Sequence, residues 1–279
     1  MLDYLSDNCI PSRAVLGQGQ RRISSTSRSC SCSCSCVMGC CKSKDVWQTN
    51  FKATELSSNK CDAEWEEIMG NPATFAMGSH WGPAARFGAI PGVIRVRVGF
   101  TGGTEEEPMY NDPKDHIEAV SLQFDPDRVT YQRLLELFWD YHDWTLENPH
   151  QYSSFIFCHD EEQKSAAEAS FLEMLKKTEK KVRTKIGTYT QFWQADDDFQ
   201  HNLLQQHKNI FPRLHIPFVQ LAHSHLATRV EGYVCGYAKP ELFDDEVAEL
   251  YLPTTLSSDI RKECMANQPS DEGVDKFPL

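Results

Sequence analysis

Residues 77–82 read Met-Gly-Ser-His-Trp-Gly. The run Ala73-Thr74-Phe75-Ala76-Met77 leading into it is strand-like, and Gly78 supplies a tight turn. Ala84, Ala85, Phe87 and Ile90 then fall at helical spacing. Strand, turn and helix in that order make Ser79 the first side chain after the turn, beside a helix N-terminus. Unpaired N–H groups and the helix dipole favour an anion there. The same field lowers the pKa of a cysteine. This chain carries a hydroxyl at that place instead of a thiol.

Working outward, a strand is predicted over Val93–Phe100, ended by Gly102-Gly103, and another over Ile117–Phe124, stopped by Asp125-Pro126-Asp127. Leu134, Leu135, Phe138 and Tyr141 predict a helix over about 130–142. Ser154–Cys158 reads as a strand. Residues 160–178 read as a long helix burying Ala166, Ala169, Leu172 and Leu175, and Thr188–Trp193 as a last strand. The order β-α-β-β-α-β is that of a split-βαβ, two-layer α+β fold. Residues 196 to about 252 read as mostly helical, and 253–279 as a frayed tail. The expected organisation is a Ser/Cys-rich disordered arm over 1–60, a domain over 61–208, and a helical extension with its tail over 209–279.

The 279 residues have a formal net charge of −12. The first 44 hold six bases and two acids, so the body of the chain is strongly acidic. That argues against binding a phosphate backbone. No apolar run approaches the 18 residues of a membrane span, and no secretory core is visible. Seven of the eleven cysteines lie before residue 60, and Cys61, Cys158, Cys235 and Cys264 are scattered. Scattered cysteines in such a chain fit free thiols in a reducing compartment, so a cytoplasmic location is expected.

Four segments carry a family resemblance. They are Gly78-Ser79-His80-Trp81-Gly82; Pro91-Gly92-Val93 with Val98-Gly99-Phe100-Thr101-Gly102-Gly103; His116-Ile117-Glu118-Ala119-Val120; and Phe138-Trp139-Asp140-Tyr141-His142-Asp143 with Gln151-Tyr152-Ser153-Ser154. From about Asn71 to about Lys208 the chain resembles the methionine sulfoxide reductase A family, the peptide-methionine (S)-S-oxide reductases. The resemblance implies a two-layer α+β sandwich with a ferredoxin-like core of that family's type. It implies oxidised methionine in peptides or proteins as the ligand. If the chain is active, thioredoxin or another thiol is the reductant, with no bound cofactor and no metal. Glu118 would be the acid, Tyr110 and Tyr152 would donate to the sulfoxide oxygen, and Trp81 would pack on the S-methyl group.

Where the family has Gly-Cys-Phe-Trp-Gly, this chain has Ser79 for the cysteine and His80 for the phenylalanine. Sulfoxide reduction moves an oxygen onto another atom, with an acid and hydrogen-bond donors stabilising it as charge develops. On a thiolate this gives a sulfenic acid, which other thiols clear. Transfer to a serine oxygen would build a weak O–O bond. The resemblance therefore implies recognition without the usual reduction. The alternatives are a working reductase, through a misrecorded residue 79 or a thiol such as Cys235 in Gly232-Tyr233-Val234-Cys235-Gly236, and a membrane-anchored binding scaffold. A hydrolase elbow, Gly-x-Ser-x-Gly, would need glycines where Met77 and Trp81 stand. The family's Asp ahead of the Gln-Tyr motif is not apparent in the short Glu147-Asn148-Pro149-His150 loop.

Met38-Gly39-Cys40-Cys41-Lys42-Ser43 fits an N-myristoylation signal with two cysteines placed for palmitoylation, if translation begins at Met38. Myristate on Gly39 with palmitate on Cys40 or Cys41 would hold the chain peripherally on a membrane. Asn8–Lys44, free of acids and rich in Ser and Arg, resembles a mitochondrial transit peptide in composition. The Cys-Ser alternation at 30–36 has spacing too tight for a zinc site.

Overall fold

The computed structural model describes residues 60–65, 68 and 70–268. The arm, with Gly39, Cys40 and Cys41, lies outside the described residues. A short helix α1 (Lys60–Trp65) precedes β1 (Asn71–Met77), α2 (Trp81–Gly88), β2 (Val93–Thr101), β3 (Ile117–Phe124), α3 (Tyr131–Tyr141), β4 (Ser154–Cys158) and α4 (Glu161–Lys177). Two short strands follow, β5 (Lys185–Thr188) and β6 (Phe192–Gln194). The six strands form one sheet in the order β5-β4-β1-β3-β2-β6. The run β4-β1-β3-β2 is antiparallel throughout, and β5 lies parallel to β4. This is the split-βαβ core and the two-layer α+β architecture expected from the sequence.

Local chemistry sets the helix ends. Thr130 Oγ1 accepts the Arg133 N–H at 3.2 Å to start α3, and Asp160 Oδ1 accepts the Gln163 N–H at 2.7 Å to start α4. Glu161 and Glu162 open α4, while Lys176 and Lys177 close it, matching the helix dipole. The main core joins Phe75, Phe87, Val96, Val98, Leu122, Leu134 and Phe138 between the sheet and α2, α3 and α4.

The structure differs from the expected strand over Thr188–Trp193. It is two strands on opposite edges of the sheet, joined by residues 189–191. A flat six-stranded sheet is about 24 Å across at about 4.8 Å per strand, whereas that short link extends about 14 Å. The sheet is therefore strongly curled. Phe157 of β4 packs so close to Gly102 that a Cβ there would sit 2.8 Å from its ring. Ala76, Ile117, Ala119, Phe157 and Phe192 fill the inside of the curl.

The buried face of α4 also differs. Leu172 and Leu175 are exposed, and the face against the core carries Gln163, Ala167, Phe171 and Met174. Gln163 is admitted because its amide is satisfied. Its Nε2 donates to the Pro72 carbonyl at 2.7 Å, and its Oε1 accepts the His159 N–H at 3.2 Å. A reading by hydrophobicity alone turned the helix away from that face.

Helices α5 (Asn202–Gln206), α6 (Phe211–Leu214), α7 (His225–Val234), α8 (Pro240–Glu246) and α9 (Thr254–Ala266) complete the described chain. The tail expected to fray thus holds a 13-residue helix, which buries Leu256, Ile260 and Cys264 at helical spacing. Helix α7 is buried along its whole length. It lies so close to α2 that a Cβ on Gly232 would stand 2.5 Å from the Ala89 backbone. Thr228 Oγ1 accepts the Val96 N–H at 3.2 Å, and the Gln200 amide brackets Val98 with two bonds of 2.9 Å. Side chains thereby complete the hydrogen bonding of β2 where β6 does not reach. Asp62 of α1 accepts the Leu226 N–H at 2.9 Å and the Ser224 hydroxyl at 2.7 Å, capping α7 from a distant part of the chain.

Candidate active site

Gly78 adopts a left-handed φ of 87°, which an L side chain resists, and turns the chain out of β1. Helix α2 begins at Trp81 with His80 as its N-cap residue, so the half-buried Ser79 precedes the cap by one position. No side chain caps the first turn of α2. In that first turn Pro83 has no N–H, and the Ala84 N–H donates to the His80 carbonyl at 3.1 Å.

Glu118 projects from β3 and is 2 % exposed. Gln151 Nε2 donates to its Oε1 at 2.7 Å, and the His80 backbone N–H donates to its Oε2 at 3.3 Å. Burial pushes the Glu118 carboxyl above its ordinary range, against the pull of these two donors. The His80 ring is 1 % exposed, and its Nδ1 lies 3.4 Å from Glu118 Oε2. Burial lowers the His80 pKa to about 3, with the Gly99 backbone opposing it, so the imidazole is neutral.

Tyr152 ends a 3₁₀ turn, His150–Tyr152. Burial, then the nearby Glu118 and Tyr110, push its phenol upward, so it remains a donor at neutral pH. Tyr110 sits on the loop after β2. Asp115 pins that loop by accepting the backbone N–H groups of Thr104 at 2.7 Å and Glu105 at 3.1 Å. These bonds hold the Asp115 pKa down at about 2. The Tyr110 ring stacks on Phe199 with centroids 4.2 Å apart, and lies nearly parallel to Trp81 at 6.3 Å. Trp81, Tyr110 and Phe199 form an aromatic ledge at the N-terminus of α2.

The site thus gathers Ser79, His80, Trp81, Tyr110, Glu118 and Tyr152. It adds two residues that sequence reasoning did not single out. Gln151 stood in a quoted motif, but nothing in the sequence aimed its amide at Glu118. Phe199 had no signal at all. Cys235 is not in this group. It caps the C-terminus of α7, three residues beyond the Gly232–Ala89 contact, and so lies at the opposite end of α2 from Ser79. It packs against the apolar cluster of α1, α7 and α9, and burial pushes its thiol upward. The short loop before Tyr152 is held by an ion pair between Glu147 and Arg183 and by Asn148 Nδ2 donating to the Tyr152 carbonyl at 3.2 Å. Among the described residues, no group of three His, Cys, Asp or Glu side chains is placed to hold a metal ion, and no helix is long and apolar enough to cross a membrane.

A buried acid, two phenols and an aromatic ledge are thus gathered around one helix N-terminus, a set with both polar and apolar members. The profile of the peptide methionine sulfoxide reductase family matches residues 71–226. The chain is 35% identical over 204 residues to the peptide methionine sulfoxide reductase of Drosophila melanogaster, covering 72% of this chain and 81% of that protein. It is 34% identical over 189 residues to the peptide methionine sulfoxide reductase A5 of Arabidopsis thaliana, covering 64% and 74%. Among solved structures it is similar to the reduced form of Mxr1 from Saccharomyces cerevisiae, with 22% identity, a TM-score of 0.47, and coverage of 50% of this chain and 87% of that one. The chain belongs to the peptide methionine sulfoxide reductase family.

Proposed function

We propose that this member of the family recognises methionine S-sulfoxide in peptides or proteins and does not reduce it by the family's thiol route. The observation that carries the reading is Ser79, standing just before the N-terminus of α2 with Glu118, Tyr110, Tyr152 and Trp81 gathered near it. The acid and phenols suit a sulfoxide oxygen, and the ledge suits an S-methyl group. What the pocket lacks is an atom able to take the oxygen. A serine oxygen would have to form a peroxidic bond, which no neighbour stabilises enough. Thioredoxin, the reductant the resemblance implies, has no sulfenic acid to clear while residue 79 is Ser. Cys235 is a poor substitute, being half-buried, shifted toward the protonated thiol, and set at the far end of α2.

The test has two parts. Dithiothreitol-driven turnover of a methionine-S-sulfoxide peptide is expected to be absent, with the R epimer as control. Calorimetry is expected to detect binding of the S epimer. Turnover by the unaltered chain would restore the working-reductase reading. Absence of binding, with S79C also inert, would leave a scaffold role. Attachment to a membrane through Gly39, Cys40 and Cys41 is a separate part of the proposal, independent of the pocket.

A further inference from the structure

Two motif segments carry residues that the proposed function leaves unused, His142 and Ser154. The fold joins them in a row of three hydrogen bonds. His142 Nδ1 donates to the Phe138 carbonyl at 2.7 Å, at the C-terminal end of α3. His142 Nε2 is bonded to Ser154 Oγ at 2.7 Å, and Ser154 Oγ to Thr184 Oγ1 at 2.7 Å. Ser154 and Thr184 are both buried. A carbonyl oxygen only accepts, so Nδ1 carries a proton whether the ring is neutral or charged. With a neutral ring, Nε2 accepts from Ser154, whose oxygen accepts from Thr184. With a charged ring, Nε2 donates to Ser154 instead. The row is complete in either state, so His142 holds the Ser154 side chain whichever way the protons lie.

Ser154 occupies a particular place in the sheet. It pairs with Met77 on the last rung of the β1–β4 ladder. Beyond that rung the two strands part. Ser79 lies two residues onward along one, past the left-handed Gly78, and Tyr152 lies two residues back along the other. Both site residues therefore leave the sheet from the rung that Ser154 closes. We infer that His142 and Ser154 are positioning residues, whose hydrogen bond sets the placement of Tyr152 relative to Ser79. The inference rests on the reading of the site given above and deepens it. On its outer side the 3₁₀ turn is held by Asn148, which donates to the Tyr152 carbonyl, and by His150 Nε2, which donates to the Asp115 carbonyl at 2.9 Å. The row through His142 ties the turn inward, to α3 and, through Thr184, to the segment entering β5. A broken link leaves a buried polar atom unpaired, a cost that a shift of the rung relieves.

Two experiments test this. The first uses the ligand-free full chain. A long-range ¹H–¹⁵N correlation reads the His142 ring, assigned through its backbone, and Nδ1 is expected to be protonated at pH 6 and at pH 8. An unprotonated Nδ1 overturns the inference. In the same chain labelled with ¹³C in its tyrosine rings, the Tyr152 signal is expected to be displaced in S154A and restored in S154T, which keeps the hydroxyl. D62A, which loosens the start of α7, controls for lost stability alone and is expected to leave that signal in place. An unmoved Tyr152 signal in S154A, or an equal displacement in D62A, overturns the inference. The second experiment is calorimetric binding of a methionine-S-sulfoxide peptide. S154A and H142F are each expected to weaken binding about two- to tenfold, the span of one hydrogen bond, with S154T close to the unaltered chain. The S154A/H142F pair is expected to lose no more than the larger single loss, because both changes break one link. Unchanged affinity in folded S154A and H142F, or additive losses in the pair, overturns the inference. The ring signals need no ligand, so a failure of the positioning is distinguishable from a failure of the reading of the site.

Discussion

The ring of Phe199 lies flat against Tyr110, centroids 4.2 Å apart and 17° from parallel, although the two are far apart in the chain. Phe199 ends the short 3₁₀ turn Asp197–Phe199 directly after β6. The stacking therefore ties the loop after β2 to the edge strand that pairs with β2, and fixes the phenol that faces the pocket. An aromatic pair of this kind contributes about 0.5–1.5 kcal/mol beyond burial. We expect F199A to weaken binding of a methionine-S-sulfoxide peptide by about two- to tenfold, with F199Y close to the unaltered protein. Calorimetry measures this. Unchanged affinity in F199A would show that Tyr110 does not depend on the stack.

Stability should fall on mild acidification. Burial lowers His80 and His225 to about 3 and His223 to about 4, each from an unfolded value near 6.5. Below pH 6.5 the unfolded chain binds protons that the folded chain refuses. Each histidine then removes up to about 1.4 kcal/mol per pH unit, until its folded pKa is reached. Urea melts at pH 7 and pH 5 should show the loss, and H80F should flatten the slope by about one proton. Glu118 acts in the opposite sense, because its folded pKa is raised. Its contribution is complete below the unfolded value near 4.5 and is lost as pH rises toward the folded one. E118Q should remove that component.

Asp62 should matter to stability although it precedes the segment matched by the family profile. It accepts from the Leu226 amide and the Ser224 hydroxyl at the start of the buried helix α7. D62A is expected to cost about 1–2 kcal/mol in denaturant melts, the range for a lost helix cap. A chain cut to begin at residue 71 should lose at least as much. It also loses Trp65, which stacks on His225 at 4.1 Å and whose carbonyl accepts from buried Arg95. Equal midpoints for D62A and the unaltered protein would rule out a capping role.

The lipid-anchor proposal makes a prediction separate from the pocket. Expressed from Met38 with a C-terminal tag, the chain should partition to membranes, and G39A should release it to the soluble fraction. A C40S/C41S pair should bind only marginally, because one acyl chain is a weak anchor. Identical soluble fractions for all three would discard the proposal.

By itself the sequence determined the alternation of strands and helices from Asn71 to Lys177, because the apolar spacing of each element is set by backbone geometry and needs no partner to be read. It also supplied the residues on which the proposed site rests. Ser79 cannot accept a sulfoxide oxygen in any fold, and Glu118 and Tyr152 were legible through their motifs. Three-dimensional packing decided the rest. The curl of the sheet splits residues 185–194 between two edges, a long-range property that local pattern does not encode. The buried face of α4 is set by whether Gln163 finds partners, which depends on Pro72 and His159. Phe199 joins the site only because β6 pairs with β2. His80, a histidine in a phenylalanine's place when read along the chain, is brought by the fold to 3.4 Å from the Glu118 carboxyl. Covalent sequence fixes which protons a side chain can carry, and only the folded environment fixes where they point.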